Sequence, residues 1–210
     1  MFIRTIFLIL ITICLGATPA FSDPKEKAAA GSPDYDILII PTDEFPLERS
    51  KGLLAAIAKE TGLRIRITLP LGTREWKAYP DRLQYNPEIV NLLALPVIER
   101  IRPNYGGRTY VILTARDIAP ADNSAKFAFA WNDHDKKVSV VSIASMLRDE
   151  RGEGVPQVVV DLRLRKMLLR TIALQFYEMQ RSADINDVTY SPMLSIDELD
   201  RMGTTLKKPR

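Results

Sequence analysis

Side chains able to do metal or nucleophilic chemistry are scarce in this chain. Histidine occurs once, at His134 within "WNDHDKK", and cysteine once, at Cys14. Neither a three-histidine zinc site nor a mixed Cys/His site can be assembled from these. Asp133, His134 and Asp135 could hold a cation loosely, but adjacent residues in a turn seldom converge on one ion, and charges there serve solvation. Nucleophilic catalysis needs an activated group with a base in reach. No G-x-S-x-G elbow is present, and Ser142, Ser145, Ser191 and Ser195 read as strand, loop and cap serines. The carboxylate pairs Asp184/Asp187 and Asp197/Asp200 have the spacing that surface turns and helix caps produce, although acid–base work needs similar pairs. "YGGR" at 105–108 precedes a strand and not a helix, so it reads as a turn and not as a phosphate cradle.

The framework around these residues is ordinary. The 210 residues are 46% apolar and 26% charged, within the range of one globular domain. Basic and acidic residues, 29 and 26, are interspersed, which argues against a nucleic-acid footprint. The first 22 residues have the layout of a secretory leader: "MFIR", the apolar "TIFLILITICLGA", and Ala20 and Ser22 before Asp23. The apolar run is short for a membrane span, so no stable anchor is expected after cleavage. The expected product is secreted or periplasmic, begins with a flexible segment at 23–33, and has neither cysteine nor disulfide. Its stability then rests on the core of residues 34–203, with 204–210 a basic tail.

Pattern places the elements. "YDILIIP" (35–41) is a continuous apolar run, hence a buried strand. Residues 46–62 carry Leu53, Leu54, Ile57 and Ala58 on one helical face and stop at Gly62. Residues 63–69 alternate apolar and basic, as in a strand with one wet face. Strand, helix, strand implies a parallel pair. A helix near 87–101, a strand at 109–115, a hairpin over 126–144 and a long helix over 157–181 follow. Ser195 with Glu198 has capping-box spacing. The expectation is a single α/β domain with a mixed twisted sheet and packed helices.

Taken in order, "DILIIPTDEFPLERSKGLLAAIAKETGLRIRI", "DRLQYNPEIVNLL", "TYVILTARDIAPADNSAKFAFAWN", "VSVVSIASM" and "SPMLSIDELDRMG" resemble the archaemetzincins, compact zinc metalloproteases of the metzincin group. That family carries H-E-x-x-H-x-x-G-x-x-H on its late helix. Two histidines one turn apart face the zinc, the glutamate acts as base, and a glycine turn brings in the third histidine. The resemblance aligns these with Arg170, Thr171, Leu174, Tyr177 and Gln180, none of which matches. It therefore implies a metzincin-like scaffold with a degenerate zinc motif, no metal and no cofactor.

The function implied is a non-catalytic module that binds an unknown peptide or protein. Metzincins hold peptides along a sheet edge, and the equivalent stretch here contains Phe127, Phe129 and Trp131. As core or hairpin residues these aromatics would carry no such role. One alternative is a metal-dependent peptidase with oxygen ligands from Asp133, Asp135, Glu178 or Asp184, although such a donor set suits calcium or magnesium better than zinc. Another is a structural partner in an envelope complex.

Overall fold

The computed structural model describes residues 35–122 and 125–206, which fall in one compact unit spanning Ser32–Arg210. The expected leader, the 23–33 segment and residues 207–210 of the basic tail lie outside the described residues. The elements are β1 (Tyr35–Pro41), α1 (Leu47–Thr61), β2 (Ile65–Ile67), α2 (Pro87–Tyr105), β3 (Gly106–Thr114), β4 (Ala130–Asp133) and β5 (Val138–Ser142). A 3-10 turn (Ala144–Leu147), α3 (Gln157–Thr171), a π-helical turn (Ile172–Phe176) and α4 (Ile196–Arg201) complete the order.

The sheet runs β2-β1-β3-β5-β4, parallel except for β4, which pairs antiparallel with β5 at the edge. It is the mixed sheet expected from the pattern. β1 is central, and its run Ile37, Leu38, Ile39, Ile40 is buried on both faces, which is why it is continuously apolar. Successive residues feed opposite cores. Ile37, Ile39, Val111, Leu113 and Val141 pack against Leu54 and Ile57 of α1 and Leu164 and Leu168 of α3. Leu38, Ile40, Ile112 and Val140 pack against Val90, Ala94 and Ile98 of α2. The chain steps from β1 to β2 and then back past β1 to β3. With one crossover hand, α1 and α2 must cover opposite faces, as they do.

Several boundaries were legible. Gly62 ends α1 at φ 67°, its N–H bonded to the Ala58 carbonyl, the left-handed cap for which glycine has no Cβ penalty. Ser195 and Glu198 form the full capping box of α4. Two expectations need correction. "YGGR" is not a turn: β3 begins at Gly106, directly after α2. The late helix does not run to 181. Its α-helical part ends at Thr171, and the π-helical turn closes it at Phe176.

Candidate functional site

α3 is the helix from which a site would be built, and its sheltered face carries three cations. Arg163, Lys166 and Arg170 share one stripe, at i, i+3 and i+7, and are 2%, 2% and 8% exposed. Arg163 meets the Asp200 carboxylate through two hydrogen bonds of 2.7 and 2.6 Å and donates to the carbonyls of Met146 and Arg148. Lys166 Nζ donates to the carbonyls of Leu199 and Asp200 at the end of α4, where the helix dipole favours a cation. Burial pushes the Lys166 amine below its usual pKa, partly offset by Asp200. These two side chains pin α4, and with it the segment leading to it, against α3.

Arg170 is different. It forms no ion pair among the described residues, and its hydrogen bonds, from Nε and Nη2, both go to the Tyr190 carbonyl. Burial, aided by the neighbouring Arg181 charge, lowers its pKa to about 10. It lies in the floor of a cleft of about 410 Å³, together with Met167. One side of the cleft is the edge strand and its approach, Phe127 to Asn132. The other is Ser191, Pro192, Met193 and Leu194, with His134 and Arg181 also in the lining.

The second wall is held from within. Tyr190 offers its carbonyl to Arg170 and its hydroxyl to Glu198 at 3.3 Å. Glu198 Oε2 accepts from the backbone N–H of Leu194 and of Ser195. Those two bonds, the Leu194 one first, hold the Glu198 carboxyl below the usual range, while desolvation opposes them.

The residues at the degenerate zinc-motif positions separate. Arg170 is in the cleft floor. Thr171 is 1% exposed, and its hydroxyl finds no partner among the described residues. Leu174 is buried in the core and borders a neighbouring, more open depression with Gln180. Tyr177 follows the π-helical turn and stacks edge-on against Phe176 at 5.0 Å. Burial, then Asp36, raises the pKa of its phenol.

The π-helical turn explains the separation, because bonds to i+5 hold more residues per turn than an α-helix does. The left-handed residue that turns the chain is Glu178, φ 53°, and not Tyr177. Arg181, and not Gln180, returns to the cleft beside Arg170. Pattern reading missed Arg181 because it steps in α-helical turns. The three-cation stripe was the available signal that α3 carries buried charge.

All three expected edge aromatics reach the cleft lining, but on different terms. Phe129 is a core residue at 4% exposure and meets Phe127 edge-to-face at 5.0 Å. Trp131 packs with the α2-side core. The oxygen-donor set does not come together: among the described residues no three His, Cys, Asp or Glu side chains are grouped to hold an ion. Asp133 is engaged by Lys136 at 2.8 Å and Asn91 at 3.1 Å. Glu178 is held by Lys137 at 2.5 Å, and Asp184 accepts from the Asn186 N–H at 2.9 Å.

A second polar cluster lies beyond the carboxyl ends of β1 and β3, where open α/β sheets often bind ligands. There Glu44 accepts from Thr42 and Thr114, and Arg116 donates to Tyr85 and Thr73. Arg116 Nε lies 3.6 Å from Glu44 Oε1, and this nitrogen and Glu44 Oε2 are both buried with no hydrogen-bond partner among the described residues.

No protein-family model matches the chain, and no curated protein matches it in sequence. Solved structures do share its fold. An archaemetzincin from Archaeoglobus fulgidus, solved in complex with malonate, matches with a TM-score of 0.63 at 16% identity, covering 82% of this chain and 95% of its own. A zinc-dependent peptidase from Methanocorpusculum labreanum matches at 0.64 and 15%, covering 81% and 95%. An archaemetzincin from Methanopyrus kandleri matches at 0.60 and 16%, covering 82% and 88%. What these likenesses establish is the fold, that of the archaemetzincins.

Proposed function

We propose that this chain is a secreted or periplasmic module on the archaemetzincin fold that binds a peptide or protein segment in its cleft without cleaving it. The observation that carries this reading is Arg170. A guanidinium has five donors and no lone pair to offer a metal, and it stays protonated at any physiological pH. With Arg170 in the cleft floor, Arg181 beside it and His134 the only histidine, the residues present do not fit a zinc ion. Thr171, next to Arg170, cannot take a proton from water. What remains is a walled cleft beside an edge strand, and among the described residues β4 is paired on one side only. Such an edge can accept an extended segment by backbone pairing, with side-chain pockets supplying selectivity. The secretory-type leader read in residues 1–22 supports the location.

Incubating the purified protein with a casein digest, with and without a chelator, tests this reading by mass spectrometry. The expected result is a subset of peptides retained and no new cleavage in either condition. Chelator-sensitive cleavage would favour the peptidase with atypical ligands; no retained peptide would remove the binding reading. A role as structural partner in an envelope complex draws support from one other surface. Ile89, Leu92 and Leu93 on α2 are 46%, 53% and 40% exposed.

A further inference from the structure

We infer that the cleft recognises an acidic side chain, aspartate or glutamate, of an extended peptide, seated against Arg170 and Arg181. This rests on the peptide-binding reading above and specifies its ligand. Among the described residues no aspartate or glutamate contributes to the cleft lining, whereas Arg170, Arg181 and His134 do. Arg181 makes no ion pair or hydrogen bond among the described residues, and Arg170 spends its bonds on one carbonyl. Elsewhere on the same helix, Arg163 and Arg165 each hold a carboxylate, Asp200 and Glu60. A buried cation lacking a counter-charge is costly, and a carboxylate from a ligand would lift that cost while making charge-assisted hydrogen bonds.

Geometry favours a side chain over a chain end. Arg170 is 92% buried and shares the cleft lining with Ala130, Trp131 and Asn132 of β4. In an extended ligand laid along β4, alternate side chains point down into the cleft, whereas a terminal carboxylate stays at backbone height. The lining also includes the apolar side chains Phe127, Met193 and, 68% exposed, Leu194. The ligand is therefore an acidic residue flanked by apolar ones.

The test uses N-acetylated, C-amidated apolar heptapeptides that differ only at the central residue: glutamate, glutamine or lysine. A fourth peptide has central glutamine and a free C-terminal carboxylate. Binding is read by calorimetry on the wild-type protein and on Arg170→Met and Arg181→Met, with circular dichroism confirming the fold. Arg181 is exposed, so its variant is expected to fold even if the other does not. The glutamate peptide is expected to bind about tenfold tighter than the glutamine one, the value of one charge-assisted contact, and to lose that advantage in Arg181→Met. Equal binding of all the peptides overturns the acidic assignment but leaves peptide binding standing. Preference for the free C-terminus overturns the side-chain assignment. Binding of none removes the underlying reading as well.

Discussion

The Arg170 guanidinium donates twice to a single acceptor, the Tyr190 carbonyl oxygen, at 3.2 Å from Nε and 3.0 Å from Nη2. The contact ties the cleft floor to its wall and leaves the cation without a carboxylate. The helix position that the resemblance aligns with a zinc ligand is thus a buried cation.

If Arg170 serves binding, the unliganded fold carries a cost for it. Its pKa is depressed to about 10, so the folded state disfavours the protonated form at every pH below that value and is relieved only above it. That depression is on the order of 3 kcal/mol, and the two bonds to Tyr190 return roughly 1–2. Arg170→Met should therefore raise the melting temperature of the unliganded protein by about 2–8 °C. Differential scanning calorimetry checks this; a fall of similar size would mean that Arg170 is chiefly a structural anchor.

Arg163 behaves oppositely, because its charge is answered. Asp200→Asn leaves a guanidinium that is 2% exposed without its carboxylate, and should cost about 2–4 kcal/mol. Arg163→Met combined with Asp200→Asn should cost less than the sum of the two single changes. Urea unfolding of the four proteins measures the coupling, and strict additivity would contradict the pairing.

Much of this was readable beforehand. The buried run at 35–41, the helix stop at Gly62 and the Ser195/Glu198 box depend on local chemistry, and the structure keeps all three. The cleft was harder. Position 170 was identified, but the π-helical turn at Ile172–Phe176 carries no composition signal, so Leu174, Tyr177 and Gln180 were placed in a register that the chain leaves. Charged residues are rarely buried, so the i, i+3, i+7 spacing of Arg163, Lys166 and Arg170 was the one hint in "RLRKMLLR" that three of its cations would be. Trp131 illustrates a third limit. Its place on the edge strand was expected, but which core it packs against depends on the sheet's other face.

The cleft wall should be acid-labile. The folded-state pKa of Glu198 is lowered, so the stability it contributes is fully present above its unfolded value near 4.5 and is lost as pH falls through the folded value. Hydrogen exchange at Leu194 and Ser195 should accelerate across that window, before global unfolding. Glu198→Gln should remove the pH dependence there. Ser195→Ala, which breaks the other half of the cap, should cost about 1 kcal/mol without introducing one. Unchanged acid sensitivity in Glu198→Gln would assign it to another carboxylate.

The most direct measurement is the metal content of the purified protein after extensive dialysis, by inductively coupled plasma mass spectrometry. A cleft floored by Arg170 should retain zinc and other transition metals only far below one equivalent, and added zinc should leave the melting temperature unchanged. A full equivalent of tightly held zinc, with a melting temperature that falls on chelation, would contradict the account and identify the cleft as a metal site.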